Sequence, residues 1–246
     1  MSAPLRVEVL VLEACPSARE AYELATSVAG RLAPGAEVRR VLVESDDEAR
    51  RLEFQGSPSI LVNGKDIAGR YGASSGLACR LYDGGSGLPP EWLVEAAVLR
   101  ALGLRGLLFL CVANSARSQM AEGIARSLAA PGLVVASAGS HPTRVRPEAI
   151  AVLQEIGIDI SGQRSKRVAE IPVADVDTVI TLCAEEVCPV YLGNARRLNW
   201  GLADPAAVEG SDDRRLAAFG KTRDELRRRI AALLGEPLRE GEERTC

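Results

Sequence analysis

Apolar and polar positions alternate with two different periods along the chain, and the switches between them mark the elements. Arg6 to Glu13 reads as a strand, and Ala21, Leu24, Ala25, Val28 and Leu32 then recur at helical spacing until Pro34-Gly35 ends the helix. Glu37 to Val43 predicts a second strand, and Ser45-Asp46-Asp47-Glu48 predicts a helix start, with acids at the positive end of its dipole. Pro58 to Val62, the turn Asn63-Gly64 and a short return strand through Ile67 form a hairpin signature. Residues 76–80 fit neither period, residues 83–90 read as a Gly/Pro-rich loop, and a helix is predicted from Glu91 to Leu102.

This order of strand, helix, strand, helix, hairpin and helix resembles the thioredoxin fold. Cys15-Pro16-Ser17-Ala18 stands where the first strand meets the first helix, and Ser57-Pro58 stands where that fold carries a cis-proline. The second cysteine of a C-x-x-C pair is replaced by Ala18, so the segment holds one thiol, and Cys79 is the candidate distant partner.

Gly103 and Gly106 mark a boundary, and the pattern restarts. Leu107-Leu108-Phe109-Leu110 is a continuous apolar run, as in a strand buried on both faces. Ala121, Ile124, Ala125 and Leu128 share a helical face, and further strands are predicted at 133–137 and 177–182. Helices are predicted at 147–156 and 213–234, the last with Phe219, Leu226, Ile230 and Leu233 in phase. Strands alternating with helices imply a parallel sheet, whose ligand lies beyond the carboxyl ends of the strands. The expected class is α/β, with a thioredoxin-like domain over 1–104 and a second domain over 105–246, its parallel sheet flanked by helices on both faces.

Composition narrows the chemistry. With 246 residues, 47% hydrophobic and 26% charged, the chain has material for two packed cores. A net charge of −3 argues against nucleic-acid or anionic-membrane partners, and no apolar run approaches a membrane span. The single histidine, His141, argues against His-rich metal sites and a Ser-His-Asp hydrolase. Acids within the first strand spoil a signal-peptide core, so the expected location is cytoplasmic, where the six cysteines stay mostly reduced and any functional ones are reactive or metal-binding.

Chemistry concentrates at Cys111-Val112-Ala113-Asn114-Ser115-Ala116-Arg117-Ser118, a loop between a strand and a helix. Successive N–H groups of such a loop converge on an anion, and the helix N-terminus adds its partial positive charge. Arg117 supplies a planar fork of donors, the same field favours a Cys111 thiolate, and Ser118 is placed to hydrogen-bond the sulfur.

From Asn114 to Gly123 the sequence resembles the signature of arsenate reductases built on the low-molecular-weight tyrosine phosphatase fold. Ser137-Ala138-Gly139, Asp159-Ile160-Ser161, Ser165-Lys166, Thr181-Leu182-Cys183, Cys188-Pro189, Asn199-Trp200 and Asp204-Pro205 continue the likeness in order. The resemblance implies that Cys111 attacks an oxyanion gripped by residues 112–117 and that Asp204 protonates the leaving oxygen. It also implies that Cys183 and then Cys188 act as successive thiols of a disulfide relay. Some members hold potassium with Asn, Glu, Ser and Asp. Here Asn114, Glu122 and Ser137 match, but the aspartate's place is Lys166, so the implied loop support is an ammonium and no metal is expected.

Ala206 and Ala207 follow Asp204-Pro205 where the phosphatases carry aromatics that sandwich a phenol. The resulting expectation is arsenate reduction without a bound cofactor, driven by an external thiol reductant of the thioredoxin or glutathione/glutaredoxin type. Cys15 and Cys79 are candidate relay thiols. Two alternatives stand beside it: a phosphomonoesterase needing Cys111, Arg117 and Asp204 only, and a non-enzymatic protein that binds arsenite through its thiols.

Overall fold

The computed structural model describes residues 4–69, 76–82, 85–184 and 193–236, which form two compact units, the second spanning Leu104–Leu234 and the first taking the residues up to Gly103 together with those from Gly235 on. The first unit contains β1 (Arg6–Val11), α1 (Ala18–Leu32), β2 (Glu37–Leu42), α2 (Asp46–Arg51), β3 (Ser59–Val62), β4 (Lys65–Asp66) and α3 (Glu91–Leu102). Its sheet runs β2-β1-β3-β4, with β1 parallel to β2 and antiparallel to β3. Asn63 and Gly64 both adopt positive φ, as a two-residue hairpin turn demands. Ser45 caps α2 by accepting the Glu48 amide. Leu10, Val43, Ala49, Phe54 and Leu61 pack as a core, α1 lies against both β1 and α3, and the Ser57-Pro58 bond is cis. The arrangement is the one the thioredoxin-like reading anticipates.

The second unit contains β5 (Gly106–Cys111), α4 (Arg117–Leu128), β6 (Val134–Gly139), α5 (Pro147–Gln154), β7 (Thr178–Cys183), β8 (Arg196–Leu202) and α6 (Asp212–Leu234). Its strands are all parallel, in the order β6-β5-β7-β8. Every residue of β5 is buried, which is why the sequence there shows no alternation. Leu108 and Leu110 pack with Ala138, Ile171, Val176 and Val179 under the short 3₁₀ helices Val168–Glu170 and Val173–Asp175. On the other face Phe109 meets Trp200 of β8, Arg229 of α6 lies over the Trp200 ring, and α4 packs on β5, β6 and α6. Each fully buried large side chain in this core contributes roughly 1.5–3 kcal/mol relative to exposure. Among the described residues, no helix is long and apolar enough to cross a membrane.

β8 is the strand the sequence reading did not predict. Leu198, Trp200 and Leu202 point inward, while Arg197, Asn199 and Gly201 alternate outward on this edge strand. Its last turn is irregular: the register with β7 shifts between Thr181 and Cys183, and Gly201 adopts φ +44°. Asn199 Oδ1 fixes this bend by accepting from Gly201 N–H at 3.1 Å and from Thr181 Oγ at 3.2 Å.

Candidate active site

β5 ends at Cys111 in the middle of the sheet, and α4 begins at Arg117, so residues 112–116 cross the carboxyl edge of the strands. Their carbonyls are tied down from outside the loop. Val112 O accepts from His141 N–H at 2.9 Å, Ala113 O from Thr143 N–H at 3.0 Å, and Ser115 O from Arg146 N–H at 2.9 Å. Asn114 O accepts from Ser165 Oγ at 2.6 Å and Gln119 Nε2 at 3.2 Å. In a trans peptide N–H and C=O point opposite ways, so carbonyls drawn outward turn N–H groups inward. Ala116 provides no side-chain cap for α4, whose first N–H groups add to the same focus. The result is a concavity of main-chain N–H groups whose chemistry suits an anion.

Asn114 holds the loop's sharpest bend, at φ +45° and wholly buried. Asparagine tolerates this left-handed region better than most residues. Its Nδ2 donates to Ser118 Oγ and to Ser137 Oγ, each at 2.8 Å. Its Oδ1 accepts from Lys166 N–H at 2.7 Å and Gln119 Nε2 at 3.0 Å. Ser118 Oγ in turn lies 2.9 Å from Cys111 Sγ. Gly139, at the end of β6, allows this packing: a Cβ there would fall 2.4 Å from Val112 O and 2.9 Å from both Asn114 N and Cys111 O.

Behind Asn114 sits a buried carboxylate. Glu122 is fully inaccessible; it accepts from Ser137 Oγ, pairs with Lys166 Nζ at 3.1 Å and pairs with Arg126 at 2.6 Å. Buried ions need such partners to offset lost hydration. Asn114, Glu122, Ser137 and Lys166 thus come together, with the ammonium against the carboxylate.

On the other side of the loop Arg117, 4% exposed, donates through Nη1 to Leu202 O at 2.8 Å and more distantly to Leu182 O at 3.4 Å. Its Nη2 lies 3.5 Å from Asp204 Oδ2. The Asn199-fixed bend in β8 is what delivers the Leu202 carbonyl to this guanidinium. Asp204 caps the 3₁₀ turn Pro205–Ala207, accepting Ala206 N–H at 3.2 Å, and stays about a third exposed. One carboxylate oxygen is therefore fixed by its own turn, and the other faces the arginine.

Cys183 ends β7, the neighbour of β5. The pairing of Leu110 with Thr181 sets Cys111 level with Leu182, one residue short of Cys183. Both are buried thiols on the same sheet edge. The sequence-predicted Cys188 lies outside the described residues. Cys15 and Cys79 belong to the first unit, where Cys15 is half-buried and Cys79 exposed.

Four contributors carry no signal that the sequence pattern singles out. The amides of His141, Thr143 and Arg146 act through the main chain, so residue type carried no signal. Gln119, wholly buried and bonded to Asn114, stood within the recognised signature, and its place one turn after Asn114 was the available clue.

Residues 106–243 match the profile of the low molecular weight phosphotyrosine protein phosphatases. The arsenate reductase of Halalkalibacterium halodurans is 44% identical over 124 residues, half of this chain and 89% of that protein. The arsenate reductase of Bacillus subtilis is 39% identical over the same shares. The glutaredoxin arsenate reductase of a Synechocystis strain is 36% identical over 135 residues, 54% of this chain and 98% of that protein.

Proposed function

Because this chain belongs to the low molecular weight phosphotyrosine protein phosphatase family, and its relatives there are arsenate reductases, we propose that it is an enzyme that reduces arsenate at the Cys111 loop. Electrons come from an external thiol reductant of the thioredoxin or glutaredoxin type, with no cofactor bound. Reduced thiols of this kind suit a cytoplasmic location.

Arsenate enters the concavity with its oxygens on the loop N–H groups and the Arg117 fork. The Cys111 thiolate attacks arsenic, a sulfur–arsenic bond forms, and one oxygen leaves as water with a proton from Asp204. Transfer from a carboxyl held over the leaving oxygen is general acid catalysis. Cys183 then attacks the Cys111 sulfur. The sulfur–arsenic bond breaks with its electron pair passing to arsenic, so As(V) becomes As(III), arsenite leaves, and a Cys111–Cys183 disulfide remains. Cys188 attacks Cys183, restores the Cys111 thiol and leaves a Cys183–Cys188 disulfide for the external dithiol. Each turnover consumes one arsenate and two thiols, and yields arsenite, water and one disulfide.

The observation that carries this reading is the buried thiol of Cys183 at the end of the strand beside Cys111. A phosphatase has no need of it. The test is arsenate-dependent NADPH oxidation by the full chain with thioredoxin and thioredoxin reductase, repeated with glutathione and glutaredoxin. The expected result is turnover abolished by Cys111→Ser and by Cys183→Ser. Phosphomonoester hydrolysis that survives Cys183→Ser, without arsenate turnover in either system, would favour the phosphatase. Stoichiometric arsenite binding with no turnover would favour sequestration.

A further inference from the structure

Ser57 joins two stretches of the first unit that are far apart in sequence. Its Oγ accepts the Leu12 amide at 3.0 Å, and Cys15 N–H donates to the Leu12 carbonyl at 3.2 Å, so the Cys15 turn closes next to it. Its main chain forms a parallel bridge with Cys79: Ser57 N–H donates to Ala78 O at 2.8 Å, and Arg80 N–H donates to Ser57 O at 2.9 Å. Beyond Tyr82, which bridges to Ser86, a Cβ on Gly87 would stand 2.8 Å from Ser17 Oγ. Residues 76–82 and 85–88 therefore meet both flanks of the Cys15 turn, Cys79 at Ser57 and Gly87 at Ser17.

This strap is firmly anchored. Arg80, 7% exposed, makes two bonds to the Asp66 carboxylate, at 2.6 and 3.0 Å, and one to Ser59 Oγ at 2.9 Å. Its guanidinium lies 4.8 Å from the centre of the Tyr82 ring, and Tyr82 Oη donates to Pro58 O at 2.9 Å. With Arg80 and Tyr82 turned inward, Leu77, Cys79 and Leu81 are exposed, the two leucines at 44% and 68%. A buried ion pair spent on holding so short a strap fixes where the exposed thiol stands.

We propose that Cys15 and Cys79 form a reversible dithiol–disulfide couple, in which the strap supplies the second thiol that Cys15-Pro16-Ser17-Ala18 lacks. In the reducing direction the Cys15 thiolate attacks a substrate disulfide, forming a mixed disulfide and releasing one thiolate. Cys79 then attacks the Cys15 sulfur, forming the Cys15–Cys79 bond and releasing the second thiolate. Two electrons pass from the couple to the substrate. An external dithiol restores it by attacking the exposed Cys79 sulfur, displacing Cys15 and then resolving its own mixed disulfide. A disulfide spans a Cα separation of about 4–7 Å, so the couple requires Cys15 and Cys79 to meet over the Ser57–Pro58 segment that both border.

The test uses no arsenate, so its outcome is separate from that of the reductase reading. The full chain is equilibrated in buffers of graded reduced-to-oxidised dithiothreitol, acid-quenched, alkylated and digested with trypsin. The expected result is a cross-linked pair of the peptides Val7–Arg19 and Tyr71–Arg80, appearing in a single two-electron transition. It should be absent from Cys15→Ser and Cys79→Ser proteins. Arg80→Ala, which frees the strap, is expected to lower the disulfide-to-dithiol ratio by about tenfold through lost effective concentration. Independent alkylation of both thiols across the series, or a link from Cys15 to Cys183, Cys188 or Cys246 instead, would overturn the proposal. An unchanged ratio in Arg80→Ala would also count against it.

Discussion

Replacing Asn114 by aspartate keeps the shape of the loop's central side chain while adding a negative charge to it. The Oδ1 acceptor for Lys166 and Gln119 is retained, but the amide that donates to Ser118 and Ser137 is lost. Asn114 Nδ2 reaches Ser118 Oγ at 2.8 Å, and Ser118 Oγ reaches Cys111 Sγ at 2.9 Å, so the new charge lies within about 6 Å of the sulfur. At that separation and an effective dielectric of about 20, two unit charges repel by about 3 kcal/mol, or roughly a hundredfold in the thiolate population. Asn114→Ala loses the same bond to Ser118 without the charge, about 1 kcal/mol or roughly fivefold. The assay is the rate of iodoacetamide labelling of Cys111 at neutral pH, followed on the tryptic peptide Gly106–Arg117, with circular dichroism confirming the fold. Aspartate is expected to slow labelling at least tenfold more than alanine does. Equal rates in the two variants would refute the view that the loop acts on Cys111 through its field.

Other perturbations follow from the same geometry. Gly139→Ala drives a Cβ into three main-chain atoms of the loop; it is expected to lower stability by about 1–3 kcal/mol and to abolish protection of Cys111 by orthophosphate, checked by thermal melting and competitive alkylation. With the Lys166 ammonium already against Glu122, arsenate turnover is expected to be the same in potassium and sodium buffers, and a large difference would contradict that role. Lys166→Ala should cost less than the roughly 3–5 kcal/mol of a fully broken buried pair, because Arg126 still faces Glu122; denaturant titration measures it. Burial raises the Tyr82 phenol well above the ordinary tyrosine range, with Arg80 opposing and Asp66 reinforcing the shift. A raised acid stabilises the fold fully below the unfolded pKa, and that contribution is lost as pH climbs toward the folded one. Tyr82 should form tyrosinate only well above the ordinary tyrosine range on alkaline titration, and Tyr82→Phe should flatten the loss of stability above about pH 10.

Where side chains carried the instruction, the sequence was readable. The apolar run at Leu107–Leu110 announced a doubly covered strand, Ser45 announced a cap, and Cys111 and Arg117 marked a strand-to-helix loop by their spacing, while Asp204 stood out only through the family resemblance. β8 was overlooked because Arg196, Arg197, Asn199 and Gly201 dilute its three inward residues, although their period of two was present. The Cys79 strap was unreadable for a different reason. Its position depends on main-chain pairing with Ser57 and on an ion pair between Arg80 and Asp66, long-range partners that no local period encodes. The support of the loop carbonyls by residues 141, 143 and 146 belongs to the same class.

That support has a consequence for how the enzyme can drift or be redesigned. An amide donor is common to every residue except proline, so positions 141, 143 and 146 can exchange side chains while still gripping the loop. The two prolines of this stretch, Pro142 and Pro147, fall between or after the three donors and never on one. Pro147 also holds the residue before it in extended backbone, Arg146 standing at φ −72° and ψ 135°. The side chains at these three positions are therefore free to change without loss of the loop's main-chain anchors, whereas proline at any of them would remove one.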